Sequence, residues 1–165
     1  MEVGVILGDQ WTSVPPREHL RGLLAQVEAA QRNGVTLLTL GQHFVYPDVR
    51  WLQPVPTLAR ISAELDPDVR IATTIVIVPL YHPIALAEEL ATLDIVSDGR
   101  LVVGAGLGYR AEEFTLLGVE MKERVARFSP IRRSKWIRLA EVPKKRSPLR
   151  DEEATFLYNL LTLFT

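Results

Sequence analysis

Four short apolar runs recur at a regular period along this chain, and a helical pattern lies in each gap. The runs begin near residues 3, 35, 70 and 101. The third, from Arg70 to Val78, is apolar at nearly every position, which is typical of a parallel strand covered on both faces. Because parallel strands are joined by right-handed helical crossovers, the order βαβαβαβ predicts an α/β fold with a parallel sheet.

The gaps carry the spacing of amphipathic helices. In the first gap apolar residues recur at i, i+3, i+4 and i+7, and Asn33-Gly34 supplies a C-terminal stop. The second helix is predicted after a proline-bearing loop that runs from Tyr46 to Pro56, and Pro83 suits the first turn of the third. The segment from Leu93 to Gly108 predicts a helix end, a tight turn, a buried strand and a glycine-containing loop. In parallel-sheet enzymes, cofactors bind beside such loops.

Composition narrows the class of protein. Of 165 residues, 47% are hydrophobic and 24% charged, as in ordinary globular proteins. The net charge of −1 offers no basis for binding nucleic acid or an acidic membrane. Cysteine is absent, and no histidine or carboxylate spacing indicates a metal site. No apolar run approaches the ~18 residues of a membrane span, and Met1 to Leu7 is too short for a signal peptide. We therefore expect a cytoplasmic protein.

The pattern changes after Phe128. Basic residues crowd a segment interrupted by prolines, and the alternation of strands and helices stops. We predict two regions: the βα units at 1–128 and a basic, proline-interrupted tail at 129–165. Glu152 to Phe164 has the spacing of an amphipathic helix. A disordered charged tail is favoured over a nucleic-acid-binding one, because its basic residues are not interleaved with stacking aromatic residues.

Short motifs within the βα units connect the chain to a known family. They are Gly41-Gln42-His43-Phe44, Gln53 to Arg60, Arg70 to Thr74, His82-Pro83, Ala87-Glu88-Glu89, Leu93 to Gly108, Glu112-Glu113-Phe114 and Leu117-Gly118. In their order and spacing, the chain from Val3 to Phe128 resembles the luciferase-like monooxygenases. These are (β/α)8-barrel oxidoreductases that use FMN or the deazaflavin coenzyme F420. The resemblance implies the N-terminal half of a TIM barrel, made of four parallel βα units and followed by an atypical tail.

The resemblance also assigns site residues at the C-terminal ends of the strands. It implies that His43 is the catalytic residue, an imidazole that hydrogen-bonds or protonates the flavin or the substrate. Gln42 would support it and contact the cofactor. The family often has a non-prolyl cis peptide against the flavin ring, and Thr73, Thr74 and Ile75 are the nearest match. The alternative for His43 is a strand-end histidine that satisfies local backbone groups.

The loop after the fourth strand completes the implied cofactor site. Gly106, Leu107 and Gly108 would let the backbone approach the ring, and Glu112 would lie beside them at the start of the next helix. Two alternatives remain open. The glycines also suit tight packing between strand and loop, and Glu112 and Glu113 are more typical of a solvated helix start than of an acid-base pair.

The other polar residues receive structural predictions. His19 is expected to be exposed on the first helix, and His82 to be a turn residue before the third. Asp94, Asp98 and Arg100 are expected to shape the turn that follows the third helix and to attach that helix to the fourth strand.

Two functions compete. The first is a flavin- or F420-dependent oxidoreductase or monooxygenase acting on a small organic substrate. The second follows from length, since a complete barrel takes roughly 250 residues and the family builds much of its phosphate site in the second half. It is a non-catalytic, truncated half-barrel that forms a homo-oligomer or pairs with a partner supplying the missing half, because open strand edges and exposed apolar faces favour association.

Overall fold

The computed structural model describes residues 4–8 and 10–133, with the backbone alone at 10–11 and 129–133. In chain order its elements are β1 (Gly4–Ile6), β2 (Gln10–Trp11), α1 (Pro16–Arg32), β3 (Leu37–Leu40), β4 (Val49–Arg50), α2 (Pro54–Ser62), β5 (Arg70–Ile77), α3 (Pro83–Val96), β6 (Leu101–Gly106), α4 (Ala111–Leu116) and α5 (Arg124–Arg133). Single 3-10 turns lie at Val78–Leu80 and Met121–Glu123.

The predicted parallel sheet is confirmed. Its strand order is β1-β3-β5-β6, and each neighbouring pair is parallel. The ladder between β5 and β6 shifts register between Thr73 and Val76, and the Thr74–Ile75 peptide within this bulge is cis. A second, two-stranded antiparallel sheet joins β2 to β4 and was not predicted. The four long strands reproduce the α/β architecture implied by the sequence.

Prolines set the starts of helices α1, α2 and α3. Pro16, Pro54 and Pro83 each occupy the first turn, where the missing N–H costs nothing and the fixed φ suits a helix. The second helix therefore begins at Pro54, inside the segment predicted as a loop. Gly34, with φ of 72°, follows α1 in the left-handed conformation that glycine tolerates best.

The core lies between the sheet and α1, α2 and α3. Its fully buried members include Leu38, Leu58, Ile61 and Ile71, each 0% exposed. Each such side chain contributes about 1.5–3 kcal/mol relative to an exposed one. The strands alternate, so that one set of side chains enters this core while the other faces the opposite side of the sheet.

Arg100, directly before β6, binds the end of the third helix, as predicted, and also binds the end of α2 and the segment entering β5, which was not predicted. Its guanidinium donates to four backbone oxygens, those of Ser97 at 2.7 Å, Ser62 at 2.9 Å, Asp66 at 3.0 Å and Val69 at 3.2 Å. These acceptors belong to the end of α3, the end of α2 and the segment entering β5. One planar side chain therefore connects the segment entering β5 to the C-terminal ends of α2 and α3.

Asp94 and Asp98 shape the same turn. Asp98 has φ of 55° and precedes Gly99 at 70°, so the chain reverses through two left-handed residues. Asp94 is 6% exposed, and burial raises its pKa, opposed by a hydrogen bond from the Leu101 backbone. His82, at the N-terminal boundary of α3, is exposed, as expected for a turn residue.

The prediction for His19 is wrong. This residue lies in the first turn of α1 but is 1% exposed. The segment before α1 is bound by Arg50 of the unpredicted β2–β4 pair, which donates to the Val14 oxygen at 2.7 Å and to the Thr12 oxygen at 3.2 Å. Burial lowers the pKa of His19, and neither of its ring nitrogens has a hydrogen-bond partner among the described residues.

Two predictions about the tail fall at the limit of the described residues. Helix α5 continues to Arg133, past the predicted boundary at Phe128, and the boundary itself stays a prediction. The predicted helix from Glu152 to Phe164 lies outside the described residues. Within the described part, no helix is long and apolar enough to cross a membrane, and the cytoplasmic location stays a prediction.

Candidate active site

The predicted site residues meet at the C-terminal edge of the parallel sheet. A Cβ at Gly41, which follows β3, would lie 3.0 Å from Trp51 and 3.3 Å from the Thr74 oxygen, and a Cβ at Gly106 would lie 2.2 Å from the Ile75 side chain. The segment that carries His43 is therefore in contact with the bulge of β5, which in turn contacts the end of β6. Parallel strands place their functional loops together in this way.

His43 is held by a carboxylate. Its Nδ1 atom lies 2.8 Å from Oε1 of Glu113, and the same oxygen accepts the Phe44 N–H at 2.8 Å. The His43 side chain is 14% exposed and the Glu113 side chain 1%. The interpretation of Glu113 as a solvated helix residue is therefore wrong. It is correct for Glu112, whose side chain is 70% exposed and 3.9 Å from Arg110.

The two glutamates differ because they are adjacent on a helix. Successive residues of an α-helix point about 100° apart, so α4 directs Glu112 outward while Glu113 points inward, next to the buried ring of Phe114. Both acids lie in the first turn, where the helix dipole favours negative charge. Sequence alone shows that preference but not which of the two faces inward.

Gln42 is a buried centre of hydrogen bonds. Its side-chain oxygen accepts the Ile77 N–H at 2.8 Å, and its amide donates to Gln53 Oε1 at 2.9 Å and to the Tyr81 hydroxyl. Gln53 in turn donates to the His43 carbonyl oxygen at 3.0 Å. Gln42 is therefore linked to the backbone of His43 through Gln53, and its contact with a cofactor stays a prediction. Burial raises the pKa of Tyr81, and its hydrogen bond with Gln42 opposes that change.

Aromatic rings surround the imidazole. The ring of His43 stands edge-on to Trp51 at 4.6 Å, Tyr46 at 5.4 Å and Tyr109 at 5.9 Å between centroids. The Arg110 guanidinium lies 4.3 Å above the Tyr46 ring, a cation–π distance. None of these four neighbours was predicted from the sequence, because they come from two loops that only the fold brings together.

Three buried polar atoms near His43 lack hydrogen-bond partners among the described residues. They are Nε1 of Trp51, Nη1 of Arg110 and Oε2 of Glu113. Arg110 Nη1 is 3.8 Å from Glu113 Oε1, a distance that allows ionic attraction without a hydrogen bond. Buried groups of this kind normally find partners, so unused donors and an unused acceptor lie around the imidazole.

The cis peptide expected from the resemblance is present, at Thr74–Ile75. Thr74 is half-buried and donates to the Thr39 hydroxyl at 2.9 Å. Thr73 is 0% exposed, and its hydroxyl exchanges two hydrogen bonds with the backbone of Gly104, at 2.8 and 2.9 Å. Thr73 therefore holds β5 to β6, whereas the backbone at Thr74 lies at the edge of the site.

The glycines after β6 permit close packing, which was one of the two interpretations. A Cβ at Gly106 would lie 2.2 Å from the end of the Ile75 side chain, which would have to move, and a Cβ at Gly108 would lie 2.6 Å from the Ile77 side chain. Gly108 also has φ of 73°, where other residues are strained. Leu107 between them is half-buried. Contact of this loop with a cofactor stays a prediction.

The described grooves lie elsewhere. One of about 380 Å³ runs along α1, and one of about 560 Å³ lies between α2 and α3. Neither is lined by His43, Thr74 or Gly106. The predicted site is thus an edge at which these residues meet, and it is separate from the linings of these two grooves.

The groups around His43 suit the ring of a flavin or deazaflavin, which is flat and aromatic and carries carbonyl oxygens and ring nitrogens. Trp51 and Arg110 each carry a buried N–H donor that has no hydrogen-bond partner among the described residues. Tyr109 is 72% exposed and presents an aromatic face. Proteins bind such a ring by stacking aromatic side chains on it and by donating N–H hydrogen bonds to its carbonyl oxygens.

Comparison with known proteins agrees with this geometry. The family described as luciferase-like monooxygenase matches residues 1–130. The oxygenase component of the flavin-dependent trigonelline monooxygenase of Acinetobacter baylyi is 33% identical over 87 residues, which cover 53% of this chain and 24% of that protein. The F420-dependent glucose-6-phosphate dehydrogenase of Amycolatopsis mediterranei is 35% identical over 54 residues, covering 33% of this chain and 16% of the relative.

A solved structure extends the match to the fold. The monooxygenase RslO1 from Streptomyces bottropensis superposes with a TM-score of 0.69 at 30% identity, over 85% of this chain and 42% of that one. The chain thus spans about a quarter of the length of the trigonelline monooxygenase component and less than half of the solved structure. The family match covers most of the sequence, from the first strand to α5. This chain belongs to the luciferase-like monooxygenase family.

Proposed function

We propose that this chain carries the catalytic face of a flavin- or F420-dependent oxidoreductase or monooxygenase that acts on a small organic substrate. The observation that carries the proposal is His43, fixed by Glu113 at the C-terminal edge of the sheet, beside the Thr74–Ile75 peptide. Relatives that are named as flavin-dependent and as F420-dependent support the two cofactor candidates. Nucleic acid and membranes are not proposed as partners.

The proposed cofactor residues divide into two groups. Thr74, the loop from Gly106 to Gly108 and Glu112 lie at the edge itself, where backbone and side-chain atoms would contact the ring. Gln42 and Thr73 are buried at 3% and 0% exposure, so they hold the shape of the edge instead. When bound, FMN or F420 supplies hydride transfer or the activation of oxygen, which side chains cannot perform alone.

His43 would then hold or move a proton beside the ring. Nδ1 is bound to Glu113, and Nε2 makes no hydrogen bond with the part of the chain that the structure describes. A free imidazole nitrogen next to a reacting group is suited to accept or donate one proton near neutral pH. Trp51 packs edge-on against the imidazole, with 4.6 Å between ring centroids.

Turnover by a His43→Ala variant tests this proposal. General acid-base residues contribute typically ~10²–10⁴-fold to rate, so we expect turnover to fall by at least about a hundredfold. Cofactor affinity should change far less, because His43 adds one contact among several. Steady-state assays with each reduced cofactor and separate binding measurements distinguish the two. Unchanged turnover would remove His43 from the mechanism, and His82→Ala, an exposed histidine, is the matched control.

A second candidate has its own observation. Within the described residues β1 and β6 each pair on one side only, and they expose Ile6 at 68% and Val103 at 41%. We propose as the alternative a non-catalytic half-barrel that forms homo-oligomers or pairs with a separate C-terminal half, because unpaired edges with apolar residues favour association. Analytical ultracentrifugation should show a dimer or larger species. A monodisperse monomer with a sharp melting transition would exclude self-association.

A further inference from the structure

We infer that Glu113 is a positioning residue that fixes the tautomer and orientation of His43. The role of Glu113 in catalysis rests on the proposed function, whereas the tautomer and the orientation of His43 are argued from the contacts of these two residues. Sequence motifs assigned no role to this carboxylate beyond a helix start. The structure buries it against the imidazole.

The tautomer follows from the acceptors available to Nδ1. An ionised carboxylate only accepts hydrogen bonds. Oε1 of Glu113 accepts the Phe44 N–H and lies 2.8 Å from Nδ1 of His43, so the proton of the neutral imidazole belongs on Nδ1. Nε2 is then left with a lone pair. A neutral His43 arranged in this way acts as a base through Nε2, and its protonated form becomes the corresponding acid.

The orientation follows from the same oxygen. Because Oε1 binds the backbone of Phe44 and the ring of His43 together, the side chain is fixed relative to its own main chain. Gln53 donates to the His43 carbonyl oxygen, which belongs to the same His43–Phe44 peptide group. The ring of His43 and the peptide that follows it are therefore both held before any ligand arrives, which is how supporting residues improve the geometry of a site.

Among the described residues, the charged and titratable groups near His43 are consistent with this arrangement. Glu113 contacts Nδ1 directly, and Arg110 lies 3.8 Å from the shared oxygen, so a positive charge supports the carboxylate. Tyr46 and Tyr109 contribute ring edges to His43. Glu112, the neighbouring acid, is exposed and pairs loosely with Arg110. The chain therefore provides a matched acidic control one residue away.

Nuclear magnetic resonance of the imidazole nitrogens tests the inference without any cofactor. In protein labelled with ¹⁵N-histidine at pH 8, where an ordinary imidazole is neutral, long-range ¹H–¹⁵N spectra distinguish the two tautomers. His43 is assigned among the three histidines by comparison with His43→Gln. We expect the Nδ1–H form to predominate by at least about tenfold, which is the population ratio of a ~1.4 kcal/mol preference.

Four variants separate positioning from mere folding. Glu113→Gln keeps an acceptor oxygen and should retain the Nδ1–H form. Glu113→Met has similar length but no acceptor oxygen, and should lose that preference. If the methionine variant does not fold, Glu113→Asp decides, because it keeps the charge but withdraws the oxygen by one methylene and should also lose the preference. Glu112→Gln should leave the tautomer unchanged.

Kinetics then connect the tautomer to turnover. Where the protein turns over, we expect Glu113→Met to lower kcat at least about tenfold with little change in KM, while Glu113→Gln retains more of kcat, as expected when a proton-transfer group is misplaced. A proton on Nε2 in the wild type, or an unchanged tautomer in both the Met and Asp variants, would overturn the inference. Failure to bind either cofactor would contradict the proposed function but would not affect the tautomer result.

Discussion

Gly104 and Thr73 exchange two hydrogen bonds across the parallel strands that end at the candidate site. The Thr73 hydroxyl donates to the Gly104 oxygen at 2.8 Å and accepts the Gly104 N–H at 2.9 Å. A Cβ at Gly104 would lie 2.2 Å from the Thr73 carbonyl oxygen, too close for any side chain. The register shift and the cis peptide begin immediately after Thr73. This contact therefore holds β5 against β6 directly before the part of β5 that forms the edge of the site.

We predict that Gly104→Ala destabilises the protein by roughly 2 kcal/mol or more, because the neighbour that blocks the new methyl group is backbone and cannot rotate away. Gly22, in the middle of α1, has nothing within 4 Å of its Cβ position and provides the control. Gly22→Ala should stabilise by about 0.5–1 kcal/mol, since glycine is a poor helix former. Urea unfolding measures both. Equal effects of the two substitutions would show that the close approach does not exist.

Arg100→Lys should destabilise by about 1–3 kcal/mol, because a single ammonium cannot reach the four backbone oxygens that the guanidinium binds. Arg60 pairs with Glu64 at the surface, with side chains 48% and 43% exposed. Arg60→Lys should therefore change stability by less than about 0.5 kcal/mol. Thermal melts of both variants make the comparison. A tolerated lysine at position 100 would contradict the proposed attachment of α3.

The buried His19 makes stability depend on pH. Its pKa in the folded state is below its ordinary value of 6.5, so folding favours the neutral ring. The resulting stability is fully present above pH 6.5 and is lost as the pH falls through the folded-state pKa, because protonation then favours the unfolded chain.

The test is urea unfolding of wild type and His19→Phe across this range. The free energy of unfolding of the wild type should decrease as the pH falls below 6.5, the ordinary pKa of histidine. The free energy of unfolding of His19→Phe should decrease less. His82→Gln removes an exposed histidine and should follow the wild type. Identical pH profiles for wild type and His19→Phe would show that position 19 titrates as an exposed histidine does.

Most of the fold is predictable because the signals for it are local. Apolar runs from Val35 and from Arg70, proline at helix starts and glycine at turns each act within a few residues, and they give the correct succession of the parallel strands and helices along the chain. The start of α2 was misplaced because Pro54 and Pro56 both suit loops and first turns. The pairing of β2 with β4 was missed because two-residue strands carry no periodicity.

The site is predictable only in part because its chemistry depends on long-range contacts. His43 and Gln42 were recognisable from a motif. Glu113 is 70 positions away from His43 in sequence, and its role depends on which face of a short helix points inward. Trp51 and Arg110 come from separate loops, and no local pattern links them to the imidazole. The buried position of His19 was missed for the same reason.

Direct titration of the purified protein with FMN and with F420 tests the central claim, that this edge of the sheet binds a flat tricyclic cofactor. Fluorescence quenching should show saturable binding of one of them, with one equivalent at the end point. A Trp51→Leu variant should bind this cofactor more weakly, because the substitution removes an indole N–H donor and an aromatic face beside His43. Absence of saturable binding by both cofactors, in protein that melts cooperatively, would contradict the account.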